Sequence, residues 1–367
     1  MRVLFAGGGT GGHINPAISV ANYIKEKDPD FKALFIGTKA GLETKLVPNA
    51  GYDIEYIDIR GFNRKKLYKN VEVLIKLIKA NKRCKEIIKE FKPDAVVCTG
   101  GYVSGPVAMA AGKMGVGSLI HEQNVYPGLT VRGAEKYVNY VAVSFEETIK
   151  HMKKPEKCVV TGNPIRGEIL SADYNKSREK LGIKGDKPFV LVFGGSLGAD
   201  RINDAMLGVL EKLSKEHKFR LMFGTGDRNY EKISKIIKEK NIVLDDEIQV
   251  LPYINNMNYA MSAADLVVGR SGAITVSEIA ALNKPSILIP SPNVVRNHQE
   301  QNAREFEKIN AAEVITEDVL TSDELYNKII ELISNKEKMT AMSQNIKKLA
   351  KTDALEKIYE LVLKMAK

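Results

Sequence analysis

An α/β chain folded as two doubly wound, Rossmann-like domains with parallel sheets is what this sequence predicts, and three observations lead there. Short apolar runs alternate with helix-length amphipathic segments along nearly the whole chain, the order that right-handed βαβ units require. The runs are rich in Val, Ile and Phe and apolar on both faces, as strands covered by helices on both sides must be. Each half also opens alike, with a strand, a glycine-rich turn and a helix: Val3-Leu4-Phe5-Ala6-Gly7-Gly8-Gly9 and Val190-Leu191-Val192-Phe193-Gly194-Gly195-Ser196.

In the first half the strands are expected at residues 3–6, 33–36, 54–59, 95–99, 118–121, 141–144 and 158–161, with helices over 17–27, 67–90, 107–113 and 146–153. In the second half strands are expected at 189–193, 220–223, 248–251, 266–268, 286–289 and 313–315, with helices over 201–214, 230–239, 275–282, 299–307 and 322–334. The tail over 337–367 lacks Gly and Pro and is expected to be helical. Turn residues at Gly162-Asn163-Pro164-Ile165-Arg166 close the seventh strand, which places the boundary between an N-terminal domain, 1–163, and a C-terminal one, 164–349. Ligands of such domains bind at the carboxyl ends of the strands, here expected to face a shared cleft.

Composition narrows the function classes. The 367 residues are enough for two proper cores, and 44% hydrophobic with 27% charged residues is normal for a soluble globular protein. The start turns glycine-rich before any leader-like apolar stretch forms, and no apolar run is long enough to span a bilayer, so the expectation is a cytoplasmic protein. Cys84, Cys98 and Cys158 are scattered and read as buried thiols. The net charge is +10, and residues 60–92 hold twelve Lys/Arg against three Glu, or +9 of it. With the rest near neutrality, a nucleic-acid partner is not expected.

Glycine lets backbone approach an anion, and the helix that follows offers N–H groups and positive potential. Gly7-x-Gly9-x-x-Gly12 formally matches a dinucleotide pattern. A nicotinamide site needs an acid after the second strand to hold the ribose, whereas Gly37-Thr38-Lys39 stands there, which argues against a dehydrogenase. A tight turn without ligand is the bland alternative. His13 follows the loop directly, and an imidazole there is suited to take a proton from an acceptor hydroxyl. The second loop, Gly194-Gly195-Ser196-Leu197-Gly198-Ala199, offers the Ser196 hydroxyl to a phosphate.

A third constellation runs from Gly269-Arg270-Ser271-Gly272 into a helix at Thr275. Its amides suit a diphosphate, and Glu278 one turn on suits ribose hydroxyls; the competing reading is a helix cap. The segment Arg296–Asn302 lines up amides at a helix start that suit a sugar, or simply a solvated helix end. No pattern favours a metal or another cofactor, and Asp28-Pro29-Asp30 reads as a turn. A metal-free enzyme stabilises a leaving diphosphate with helix N-termini and a cation, for which Arg166 is the candidate.

In order along the chain, Gly8-Gly9-Thr10-Gly11-Gly12-His13, Gly100-Gly101-Tyr102-Val103-Ser104-Gly105-Pro106, His121-Glu122-Gln123-Asn124, Gly162-Asn163-Pro164-Ile165-Arg166, the Gly194 loop and Ser271–Glu278 resemble the MurG family. These are the undecaprenyl-diphospho-muramoylpentapeptide β-N-acetylglucosaminyltransferases of bacterial peptidoglycan synthesis. The resemblance covers about residues 2–350. It implies a GT-B fold whose last helix, about 350–367, crosses back to complete the N-terminal domain. It implies inverting transfer of GlcNAc from UDP-GlcNAc to the C4 hydroxyl of the MurNAc unit of lipid I, giving lipid II and UDP.

The same resemblance implies donor contacts at Thr10, Gly11, Gly12, Asn124, Arg166, Ser196, Ile254, Ala273, Ile274, Thr275, Val276, Ser277, Glu278 and Gln299. Ile254 would read uracil through its backbone, Glu278 would hold the ribose and Gln299 the sugar. The acceptor diphosphate would meet Gly11, Gly12 and Ser104, with His13 as preferred general base and Glu122 as its rival. Phe223-Gly224 stands where His-Gln is common in the family, and Asn15 where an aromatic residue is frequent, so no role is carried to those positions.

A lipid-linked acceptor also gives the basic segment a partner. Leu67, Val71, Leu74, Ile75 and Ile78 recur at helical spacing with lysines such as Lys65, Lys66, Lys69 and Lys76 among them, which suits peripheral docking on an anionic membrane surface at the cytoplasmic face. A solvated basic face is the bland alternative. Other readings that keep the fold are a UDP-GlcNAc 2-epimerase, a diacylglycerol glycosyltransferase, or a scaffold that binds nucleotide sugar without turnover.

Overall fold

The computed structural model describes residues 1–61, 70–195 and 197–366. They divide into two compact units, Met1–Ile165 with Thr352–Lys367, and Arg166–Lys351.

The first unit runs β1 (Arg2–Ala6), α1 (Gly11–Lys27), β2 (Lys32–Gly37), α2 (Glu43–Asn49), β3 (Asp53–Tyr56), α3 (Asn70–Phe91), β4 (Ala95–Cys98), α4 (Gly101–Met114), β5 (Ser118–Glu122), α5 (Leu129–Ala134), β6 (Tyr140–Val143) and β7 (Cys158–Val160). The second runs α6 (Gly167–Leu170), α7 (Tyr174–Lys180), β8 (Phe189–Phe193), α8 (Asp200–Glu216), β9 (Arg220–Gly224), α9 (Asp227–Glu239), β10 (Ile248–Leu251), α10 (Met257–Ala263), β11 (Leu266–Gly269), α11 (Ala273–Ala281), β12 (Ser286–Leu288), α12 (His298–Glu307), β13 (Ala312–Val314), α13 (Ser322–Ser334) and α14 (Lys336–Ile346). The chain then returns to the first unit as α15 (Ala354–Met365).

Among the described residues each unit holds one parallel sheet, ordered β3-β2-β1-β4-β5-β6-β7 and β10-β9-β8-β11-β12-β13. Leu4 sits between Leu34 and Val96 in register, and Val192 between Phe223 and Val268. These are the two Rossmann-like domains the alternation predicts, with every expected strand present and its ends moved by at most three residues.

Strand pleating explains the cores. Val3 and Phe5 of β1 face one way, against Ile14, Val20 and Ile24 of α1 and Ile358, Leu361 and Val362 of α15. Leu4 and Ala6 face the other, against Val103 and Val107 of α4 and Cys84, Ile87 and Ile88 of α3. Burial pushes the Cys84 thiol up to about 12. Cys158 is half-buried rather than buried.

Four helix expectations change. α1 and α4 begin at Gly11 and Gly101, six residues before the starts expected at 17 and 107. The segment Glu146–His151 is 3₁₀ rather than α, and the tail is two helices, because Met342 of α14 packs into the second unit's core whereas Ile358, Leu361 and Val362 of α15 pack into the first.

Candidate active site

β1 lies between β2 and β4, and β8 between β9 and β11. At such a point successive connections leave on opposite faces of the sheet and open a crevice beyond the carboxyl ends of the strands. In the first unit the loops after β1 and β4 flank it; in the second, those after β8 and β11.

The first pair of loops is packed glycine to glycine. A Cβ on Gly7 would lie 2.2 Å from Thr99 Oγ1, and one on Gly101 would lie 2.3 Å from Gly8 O. Gly9, Gly100 and Gly101 adopt positive φ, which glycine takes without steric cost. Gly11 and Gly12 differ: a Cβ there would meet only ordinary contacts at 3.6 and 3.7 Å. Internal packing therefore demands the first glycines of the loop and leaves the last two open to an approaching group. Gly11 and Gly12 open α1, which no side chain caps, while His13 N and Ile14 N donate to Thr10 O.

His13 Nδ1 lies 3.3 Å from both Gly8 O and exposed Thr10 Oγ1. Donation from Nδ1–H to the Gly8 carbonyl selects the tautomer with its lone pair on Nε2. The Nε2 edge lies over Gly100, where a Cβ would approach Nε2 to 3.1 Å, so glycine at that position keeps room around it. Tyr102, a residue sequence reasoning singled out only as part of a motif, rests its ring beside Gly9.

The motif ending β5 builds a buried polar net. His121 Nε2 donates to Gly162 O (2.9 Å), Gln123 Nε2 donates to Thr99 O (2.7 Å) and to His121 Nδ1 (3.0 Å), and Asn163 Nδ2 donates to Gln123 O (3.0 Å). Burial lowers the His121 pKa to about 4, so the ring is neutral. Glu122 is buried as well. Its Oε1 accepts from Asn124 N (3.0 Å) and Nδ2 (3.1 Å), and its Oε2 from Gly128 N (2.7 Å). Burial raises its pKa and these bonds lower it.

In the second unit α11 starts after Gly272 with no side-chain cap, so the capping alternative does not hold. Ser271 Oγ donates to Gln299 O (2.7 Å) and Asn302 Nδ2 to Ser271 O (3.1 Å), tying the loop after β11 to α12. Gln299 Oε1 accepts from Ser291 N (2.9 Å). Glu278 is nearly buried on α11, and Arg166 Nη2 approaches its Oε1 at 3.4 Å while the arginine side chain stays 51% exposed. Burial raises the Glu278 pKa and the arginine opposes it. Gly198 packs on Thr225, where a Cβ would meet Thr225 O at 2.1 Å, and buried Ile254 lies against Gly224.

Models of two domains match the chain, the glycosyltransferase family 28 N-terminal domain over residues 3–143 and the glycosyltransferase family 28 C-terminal domain over residues 189–358. The chain is 47% identical over 362 residues to the UDP-N-acetylglucosamine--N-acetylmuramyl-(pentapeptide) pyrophosphoryl-undecaprenol N-acetylglucosamine transferase of Caldanaerobacter subterraneus subsp. tengcongensis, covering 99% of both chains. It superposes on the crystal structure of MurG from Acinetobacter baumannii with a TM-score of 0.79 at 29% identity, covering 99% of each. The chain belongs to the MurG family.

The fold also matches a UDP-GlcNAc 2-epimerase from Neisseria meningitidis (TM-score 0.69, 16% identity, 99% of this chain and 100% of that one), a likeness of fold alone. Two of the residues that the MurG resemblance implies are engaged inside the fold. Ser104 is fully buried, and its Oγ accepts from Gly100 N (3.0 Å) and donates to Ala6 O (2.9 Å) or Gly100 O (2.7 Å). Its hydroxyl holds the turn between β4 and α4. Val276 is equally buried and its N–H donates to Gly272 O, so it is a core residue of α11. Ser196 lies outside the described residues. Asn302, in the segment read as sugar-facing, is buried and structural. Glu43, which the sequence reading passed over, turns out to be bonded to the loop.

Proposed function

We propose that this chain transfers GlcNAc from UDP-GlcNAc, with inversion, to the C4 hydroxyl of the MurNAc unit of lipid I, releasing UDP and forming lipid II. The full-length 47% identity to a transferase named for that donor and acceptor is the observation that carries the reading.

In this reading the second unit takes the donor. The opening amides of α11, around Ala273, Ile274 and Thr275, receive the diphosphate, and Arg166 supplies the cation. Ser277 lies on the same half-exposed face of α11. Glu278 accepts from the ribose hydroxyls, the Gln299 amide N–H groups meet the sugar, and the Ile254 backbone reads uracil. The first unit takes the acceptor diphosphate on the Gly11 and Gly12 amides. As the C4 oxygen attacks donor C1, His13 Nε2 takes its proton, the bond from C1 to the diphosphate oxygen breaks, and the electron pair leaves with UDP. Glu122, with both oxygens engaged by Asn124 and Gly128, acts as a positioning residue for that loop and not as the base.

The chain works peripherally on the cytoplasmic face of the membrane. Among the described residues no helix is long and apolar enough to cross it, while α3 exposes Ile75 and Ile78.

UDP release from UDP-GlcNAc with and without a lipid I analogue tests the assignment. Release should require the analogue; interconversion of the donor alone would mark an epimerase, and release with diacylglycerol a different transferase. His13→Ala should lower kcat by about 10²–10⁴ and leave UDP affinity unchanged. Full turnover in that variant would remove His13 as the base.

A further inference from the structure

Glu43 is fully buried at the start of α2. Its Oε2 accepts from Gly9 N (3.0 Å), and its Oε1 from Thr38 N and Thr38 Oγ1, both at 2.9 Å. Glycines make room for it on three sides: a Cβ on Gly8, Gly37 or Gly41 would come within 2.8, 2.6 and 1.9 Å of its side chain. A buried carboxylate has to be matched by donors, and this one takes a donor from the substrate-facing loop itself.

In a dinucleotide site the acid after the second strand points outward to a ribose. Here the acid comes at residue 43 and points inward at the glycine loop. Gly9 N–H already has an anion, one belonging to the protein.

We propose that Glu43 is a positioning residue for the reaction: it clamps the Gly9 amide from inside, fixes the loop from Gly7 to Gly12, and leaves the opening amides of α1 as the loop's donors to a bound diphosphate. Its effect on substrate is indirect, and it rests on the reading above that the first unit takes the acceptor.

The test compares Glu43→Gln and Glu43→Asp with Thr38→Val in the full-length protein. Gln keeps one oxygen and turns an NH₂ toward donors; Asp keeps the charge but is shorter by one carbon. Thr38→Val removes a hydroxyl from the far oxygen and leaves the Gly9 bond in place. In both Glu43 variants, amide hydrogen exchange over residues 7–13 should accelerate at least about 10-fold. The kcat/KM for a lipid I analogue should fall at least about 10-fold, with UDP affinity unchanged. Thr38→Val should keep wild-type loop exchange and acceptor kinetics even where its melting temperature drops. Wild-type exchange and kinetics in the Glu43 variants, or equal changes in Thr38→Val, would overturn the proposal. If the unmutated protein transfers nothing to the analogue, the functional reading fails, and the exchange comparison still decides whether Glu43 holds the loop.

Discussion

His121, at the end of β5, couples the loops of the first unit to pH. In the unfolded chain its imidazole protonates near 6.5, whereas burial holds the folded pKa at about 4. Between those values the unfolded state binds more protons, so this contribution is fully present above 6.5 and is lost as pH falls toward 4. Between about pH 7.5 and about pH 5 the unmutated protein should lose roughly 2 kcal/mol more stability than His121→Gln. Urea unfolding at the two pH values checks this, and equal losses would show that the ring is not buried neutral. Single residues are also where sequence reading is least secure. The MurG resemblance implies Ser104 as an acceptor contact, but nothing in the local sequence shows that its hydroxyl donates to Ala6 O, a partner nearly a hundred positions away. Glu43 went unnoticed for the converse reason: it is separated from Gly9 by 34 positions, and no local pattern joins them.

Helix α3 shows what an element adds to composition. The basic segment read from sequence counts Lys76 among its outward charges, but Lys76 is only 17% exposed and pairs with Asp58 (2.9 Å) and Glu72 (3.5 Å). Arg83 likewise turns to Glu55, Glu86 and Glu90. Lys65, Lys66 and Lys69 lie outside the described residues. What faces outward is a stripe of Ile75 (51% exposed), Ile78 (72%), Lys79 and Lys82, spaced as one side of a helix requires. Each lysine near an anionic surface contributes roughly 1 kcal/mol, and a fully buried Ile about 1.5–3 kcal/mol, so the isoleucines should dominate. Ile75→Glu with Ile78→Glu should abolish cosedimentation with anionic vesicles, while Lys79→Glu with Lys82→Glu should weaken it mainly at low salt. Undiminished sedimentation of the isoleucine variant would remove α3 as the docking element. Periodicity found the body of this helix and of its neighbours, but not the glycine-led starts of α1 and α4, because glycine carries no apolar signal and is a poor helix former.

At the scale of the whole molecule, alternation of strands and helices was enough to read two parallel sheets, because a strand covered on both faces has few other compositions open to it. The tail was harder. Its apolar spacing is helical throughout and does not divide it; the return of the last helix to the first unit is implied by the MurG resemblance alone, and the packing sets Met342 and Ile346 with one unit and Ile358, Leu361 and Val362 with the other. Those last three side chains are buried against the face of the first sheet that carries Val3, Phe5, Val97 and Leu119. At about 1.5–3 kcal/mol each they contribute roughly 5–9 kcal/mol, comparable with the roughly 5–15 kcal/mol that holds a domain folded. Ending the chain at Lys351 should therefore cost the first unit its cooperative melt while leaving the second intact. Calorimetry of the full chain and of residues 1–351 should show one transition, raised in temperature by UDP, in both proteins. A second transition should appear only in the full chain, or merge there with the first. A truncated chain that melts like the full one would mean that α15 covers the first sheet without stabilising it.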